Sequence, residues 1–381
     1  MSRARVSVLL LVLPALALGA LCLTIVATGT ARTGAPGLGA AGHFAVRQLV
    51  GLGLGLVLGF GAARAGAERI LRAAPVLFVV ALIATAAVFV PHIGVRAAGA
   101  SRWLKLGPLS GSPAPFLIGA TGLLVAAWSD RGGRGDQRRN TIAPTAPIAS
   151  RPLALALALI ALLVLVAEPD FSAAAVVLAV AFAALGGGGV ASRRLIPAAL
   201  LLLLALGAGA SRFGYVNKRV DGFISPQSDR RGKGFEVLAL ARANAGAAAG
   251  GTGLGTGSAR RHLSSPASDY VFAIVGEELG RKGMWGVVGA WVVLAAGAAL
   301  AARSAGHDPR LRAAAAACAA ALLTPAALHI AVCRGWTPIV GVTMPFLSYD
   351  PALTVASGGE LGVLAAIALA PTSAPPDQVS A

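Results

Sequence analysis

The feature that most limits what this chain can become is a series of ten apolar runs. They lie at about 6–29, 43–65, 73–92, 114–128, 152–168, 172–190, 194–213, 271–302, 312–333 and 351–371. Most approach the roughly 20 residues that a helix needs to cross a bilayer. The apolar positions show no alternation of period two, so a membrane β-barrel is not expected. Helices remain as the way to satisfy the backbone in lipid. Only 12% of the residues are charged, about half the share of a soluble domain. The expected fold is all-α and polytopic, a single transmembrane domain over 1–381 with about ten membrane helices.

Charge orients the bundle. Arg3, Arg5, Arg64, Arg69, Arg72, Arg131, Arg134, Arg138, Arg139, Arg193, Arg194, Arg303, Arg310 and Arg312 all fall in short loops on one side of a ten-span arrangement. That side is read as cytoplasmic, with both termini there. The first run is longer than a signal peptide's core and is read as an uncleaved span. The Lys and Arg behind the net charge of +17 sit in loops between apolar runs, so nucleic acid is not an expected partner. Cys22, Cys318 and Cys333 lie in apolar stretches without metal-ligand spacing and are read as small packing residues. The stretch at about 129–151 is a polar cytoplasmic connector.

The long loop at about 214–270 falls on the outer face. It carries Lys218, Arg219, Arg230, Arg231, Lys233, Arg242, Arg260 and Arg261. One reading is a solvated loop facing lipid headgroups. The other is a diphosphate site, since Arg and Lys supply charge-assisted hydrogen bonds. The loop ends at Ser268-Asp269-Tyr-Val-Phe-Ala-Ile-Val-Gly-Glu277-Glu278-Leu-Gly, where an acid stands at the lip of an apolar run. The run Gly250-Gly-Thr-Gly-Leu-Gly-Thr-Gly257 has no Gly-Lys-Ser/Thr after it and no strand context, so a nucleotide loop is not expected.

Four stretches together carry a resemblance. They are Arg102-Trp103-Leu-Lys105-Leu-Gly-Pro108, Glu168-Pro169-Asp170, the Asp269 segment, and Gly335-Trp-Thr-Pro-Ile-Val-Gly-Val-Thr-Met-Pro345-Phe-Leu-Ser-Tyr349. In this order, on ten spans, they resemble the SEDS family (shape, elongation, division and sporulation), the RodA/FtsW/SpoVE-type peptidoglycan glycosyltransferases. The chain departs from the family's usual forms at Ser112-Pro-Ala-Pro115, at Glu168, where the family has Gln, at Asp350-Pro351-Ala352, and at Glu360 in the last span. The Gly-rich run also lacks the basic residue that members often carry there.

The resemblance implies polymerisation of lipid II, a disaccharide-pentapeptide on undecaprenyl diphosphate, at the outer face of the cytoplasmic (inner) membrane. It also implies a class B penicillin-binding transpeptidase as partner, beside membrane lipid. A lipid II flippase and a weakened scaffold for that transpeptidase are the competing expectations. Asp269 is the expected general base, with N-capping of its helix as the plain alternative. Arg102, Trp103, Lys105, Arg260 and Arg261 are the expected substrate contacts. Trp103 is read chiefly as an interface anchor. Glu277 and Glu278 are given a structural or substrate-positioning role, paired with Arg281 or Lys282. Asp170 orders a break between spans, and His329 packs as a hydrogen-bonded core residue. No metal cluster is specified. A divalent cation, Mg or Mn, bridging the diphosphate stays open.

Overall fold

A computed structural model describes residues 2–31, 38–97, 100–106, 109–129, 150–168, 170–229, 232–248 and 250–370. The expected connector lies outside these residues from 130 to 149, as do Pro108, Pro169, Arg230 and Arg231. Twelve α-helices and one small sheet are described. In chain order the first seven helices are α1 (Arg3–Ala31), α2 (Leu38–Ala65), α3 (Ala67–Ala86), α4 (Ala114–Ala127), α5 (Ser150–Ala167), α6 (Phe171–Gly187) and α7 (Ser192–Ala210). The long loop at about 214–270 folds into α8 (Gly214–Ile224) and α9 (Lys233–Ala248). The bundle closes with α10 (Val271–Ser304), α11 (Pro309–Cys333) and α12 (Pro351–Leu369).

Seven helices (α1, α2, α3, α7, α10, α11, α12) are long and apolar enough to cross a membrane. Three shorter apolar segments, Ala114–Ala127, Ala158–Ala167 and Phe171–Gly187, complete the ten expected. Many lipid-side residues stay exposed, Val57 and Leu204 among them, as a bundle solvated by hydrocarbon requires. Small residues set the tightest packing. A Cβ on Gly55 of α2 would meet the Thr354 carbonyl oxygen of α12 at 2.9 Å, so only glycine lets these two backbones approach.

Two features escaped the reading of the sequence. Residues after α3 form an antiparallel sheet of β1 (Gly94–Ala97), β2 (Ala100–Leu106) and β3 (Leu109–Gly111). Hydropathy reports long apolar helices and is silent on so short a hairpin. The second feature is a break in α10 at Gly280, where φ is 68° and ψ is −166°. Exposed Arg281 and Lys282 follow it at once. The roughly 20 residues that a span needs are supplied by 283–304 alone. The expected span over 271–302 is present as α10, with a break at Gly280 that divides it into two helical parts.

The break frees carbonyl oxygens, and the Gly-rich loop takes them. Thr252 N–H donates to the Glu277 carbonyl at 2.9 Å, and Gly253 N–H to that of Glu278 at 2.9 Å. Left unbonded, each buried carbonyl would cost about 1–3 kcal/mol. The loop approaches so closely that a Cβ on Gly251 would meet the Gly280 nitrogen at 2.6 Å. We expect Gly280→Ala to lower stability by about 1–3 kcal/mol, because alanine is strained at this φ and its Cβ would strike the Gly250 carbonyl. A thermal melt of the detergent-purified variant checks this.

Candidate active site

Asp269 is the last residue but one before α10, and it does not cap the helix. The cap position belongs to Tyr270, and neither its side chain nor that of Asp269 caps the helix. The plain alternative is therefore not what the structure contains. The backbone on either side of Asp269 is pinned instead. Ser348 Oγ–H donates to the Ser268 carbonyl at 2.6 Å, and Tyr349 N–H to the Ala267 carbonyl at 2.9 Å. In that partner segment Phe346 takes a left-handed φ of 63°, stabilised by the Met344 N–H to Ser348 Oγ bond of 2.8 Å beside it.

His329 of α11 locks the same two segments. Its Nε2 lies 3.4 Å from the Phe272 N–H and its Nδ1 lies 2.7 Å from the Val342 carbonyl oxygen. These partners assign a neutral ring with the proton on Nδ1. The histidine is fully buried and bonded at both nitrogens, as expected of a packing residue.

Three elements bring four charged residues toward Asp269. Arg219 comes from α8, Lys233 and Glu236 from α9, and Asp350 from the start of α12. Burial pushes the Asp269 pKa up to about 6, with Arg219 opposing and Asp350 adding to the rise. Asp350, unexplained by the sequence, caps α12 by accepting from Leu353 N–H at 3.0 Å. Glu236 accepts from Tyr270 Oη–H at 2.8 Å and from Lys233 Nζ at 2.7 Å. Burial alone would raise the Glu236 pKa. Hydrogen bonds from Lys233, Ser264 and Tyr270 outweigh it and hold the carboxyl below its ordinary range. Tyr270 thus fixes α9 against the residue next to Asp269.

The hairpin decides the fate of two expected contacts. Side chains alternate across a strand, so residues three apart face opposite ways. Arg102 and Leu104 turn inward, while Trp103 and Lys105 are exposed. Arg102 lies 3.6 Å from Asp170, through Nε to Oδ2, and bonds Tyr215. Arg219 stacks over the Tyr215 ring at 5.4 Å, which links Arg102 to the cations near Asp269. Arg102 and Lys105 therefore do not converge on one site. Asp170 also caps α6, accepting from Ala173 N–H at 3.1 Å, and so orders the break between α5 and α6 as expected.

Arg260 is engaged elsewhere. Its guanidinium donates to Glu278 at 2.6 and 3.0 Å and to the Ile25 carbonyl of α1 at 2.8 Å. That corrects two expectations together. Arg260 holds the loop to α1 and α10, and Glu278 pairs with Arg260 rather than with Arg281 or Lys282. Glu277 accepts from Ser258 N–H at 2.8 Å, Ser258 Oγ–H at 2.9 Å and Ala259 N–H at 3.0 Å. The adjacent acids act as a two-pronged clamp on the outer loop. Arg261 stays exposed. No group of three metal-ligating side chains occurs among the described residues.

Sequence reasoning named the loop cations as a set without singling out Arg219 and Lys233. The available signal was the i,i+4 spacing of Tyr215 and Arg219, which puts ring and guanidinium on one helix face. Glu360 is buried in α12 and lines an apolar groove of about 610 Å³ between α2, α3 and α4. Gly119 makes room for it, since a Cβ there would meet Oε1 at 3.1 Å.

A polytopic helical bundle with a half-buried carboxyl at a broken helix, flanked by cations, defines a class of membrane protein with a site outside its lipid-embedded core. The chain is, more particularly, a member of the FtsW/RodA/SpoVE cell cycle protein family, whose model matches residues 7–372. It is 28% identical over 327 residues to a probable peptidoglycan glycosyltransferase FtsW of Aromatoleum aromaticum, covering 84% of this chain and 77% of that one. It is 29% identical over 329 residues to the protein of the same name from Coxiella burnetii, covering 86% of each. Its fold matches a chain of a peptidoglycan synthase complex that coordinates polymerization and crosslinking, at TM-score 0.73 and 24% identity over 94% of this chain and 96% of that one. It also matches the rod shape determining protein RodA of Thermus thermophilus at TM-score 0.65 and 24% identity, over 94% and 95% of the two chains. The chain is a multi-pass protein of the cytoplasmic membrane.

Proposed function

We propose that this chain is a peptidoglycan glycosyltransferase that polymerises lipid II at the outer face of the cytoplasmic membrane, with Asp269 as general base. The names of its relatives support the reaction class. The observation that carries the residue assignment is a carboxyl that caps nothing, has its pKa raised by burial to about 6, and has Arg219 and Lys233 acting on it beside the acids Asp350 and Glu236.

The chemistry asks for little more. The acceptor sugar's 4-hydroxyl passes its proton to Asp269 as the oxygen attacks the donor's anomeric carbon. The bond from that carbon to the undecaprenyl diphosphate breaks, and the electron pair leaves with the diphosphate. An α-linked donor gives a β-linked product in one inverting displacement, so no second carboxylate nucleophile is needed. The leaving group wants positive charge nearby. Arg219 and Lys233 are our candidates for it, with Arg102 linked to Arg219 through Tyr215, and we take the space they surround as the substrate cleft. A divalent cation would supply further charge to the diphosphate. Trp103 and Lys105 are exposed, and we assign them to the lipid headgroups. Both termini lie in the cytoplasm, and a class B penicillin-binding transpeptidase supplies the cross-linking that the chain lacks.

Purified lipid II incubated with the chain, with and without such a transpeptidase, tests the reading. Glycan product supports it. Lipid scrambling across vesicles without product selects a flippase, and neither outcome leaves a scaffold. The same assay reads the protonation of the base. A base must be ionised, so activity is retained above a pH of about 6 and lost as pH falls through it. At pH 5 the rate should be about a tenth of its plateau. A rate flat down to pH 5 would remove Asp269 as the titrating base.

A further inference from the structure

Where α5 meets α6, the chain buries a carboxyl that the proposed chemistry does not use. Glu168 is 0% exposed, and neither carboxyl oxygen has a hydrogen-bond partner among the described residues. An ionised carboxylate is strongly disfavoured in such a place. Two charged groups face it: Asp170, from the start of α6, and Arg102, from β2. Arg102 is 3.6 Å from Asp170 and also bonds Tyr215 of α8, so Glu168 has only a share of its charge. Burial first, and then Asp170, raises the Glu168 pKa to about 8, with Arg102 opposing. Two carboxyls thus share one guanidinium, and the fully buried one is the neutral member near pH 7.

We propose that Glu168 is a positioning residue for Arg102: neutral, it leaves the guanidinium available to a lipid diphosphate in the outer cleft, and ionised, it joins Asp170 in holding that guanidinium back. The proposal rests on the reading that the cleft takes a diphosphate. Its proton balance is simple. A diphosphate that draws on the charge of Arg102 leaves Glu168 beside a less neutralised Asp170, which makes ionisation of Glu168 harder still. The bound state therefore favours the protonated carboxyl more than the free state does. Affinity is full below a pH of about 8 and declines as pH rises through it, with one proton taken up from solvent for each diphosphate bound at higher pH.

Farnesyl diphosphate, a soluble prenyl diphosphate, serves as the probe. Its dissociation constant is measured for the full chain and for Glu168→Gln in detergent between about pH 6.5 and pH 9. The amide keeps the shape of the side chain and cannot ionise. Both proteins meet the same ionic forms of the probe, so its own titration cancels in the ratio of the two constants. We expect a ratio near one at about pH 6.5 and near tenfold weaker binding by the wild type at about pH 9. Arg102→Gln should weaken binding at every pH and erase the pH-dependent part.

A ratio that stays flat across the range, in variants that melt like the wild type, overturns the inference and leaves the cleft a diphosphate site. An Arg102→Gln variant that binds as tightly as the wild type overturns it equally. Failure of the wild type to bind the probe at any pH removes the diphosphate reading of the cleft, and this inference falls with it.

Discussion

Asp269→Asn should abolish glycan polymerisation while the protein still inserts, folds and binds lipid II. The loss expected from removing a positioned base is about 10²–10⁴-fold, equal to about 3–5 kcal/mol of barrier. Stability should scarcely change. Asp269 caps no helix, and its neighbourhood is fixed through the backbone by Ser348, Tyr349 and His329 rather than through its own carboxylate. Amide for acid also relieves the cost of burying a charge. Lipid II polymerisation and a thermal melt, run together on both proteins, make the comparison. A variant that polymerises at more than a tenth of the wild-type rate would end the assignment. One that unfolds would return the residue to structure.

The second large effect is on stability and lies in a different place. Arg260→Ala should destabilise the outer loop by about 3–5 kcal/mol, the usual cost of orphaning a buried ionic partner. The pair is well enclosed, with side-chain exposures of 12% for Arg260 and 1% for Glu278. Removing the guanidinium leaves Glu278 with one remaining bond, from Gly255 N–H at 2.9 Å, and takes one of two side-chain donors from the Ile25 carbonyl, which keeps Thr28 Oγ–H at 3.2 Å. Limited proteolysis within 250–261 should accelerate with the drop in melting temperature. Replacing both partners, as in Arg260→Met with Glu278→Leu, should recover much of the loss, since no buried charge is then left alone. Were Arg260 a diphosphate ligand, the single variant would keep its melting temperature and lose substrate affinity.

These two residues show how unevenly the site could be read in advance. Asp269 is legible because an acid at the edge of an apolar run is rare and local. The roles of Arg260, Glu277 and Glu278 are not. Their partners lie 18 or more residues away, in the turn before a helix break that one glycine makes. Nothing in composition distinguishes a glycine that breaks a helix from the many that pack within one. Arg102 and Lys105 were read together because the motif presents them together. The pleat of β2 separates them, and strand pairing over so few residues leaves no hydropathy signal.

The sequence by itself determined the class of fold, a span count of about ten and the position of one acid at the edge of an apolar run. Each follows from short-range physics: the length of an apolar run against the thickness of a bilayer, and the cost of placing charge in lipid. Only the tertiary structure decided which cations stand near that acid and which are consumed in holding the loop. Pairing is a matter of distance in space, and long-range distance is set by how helices pack and where one of them breaks. The Gly-rich run shows the division plainly. Its composition permitted a ligand loop, and the carbonyls exposed at Gly280 made it a plug.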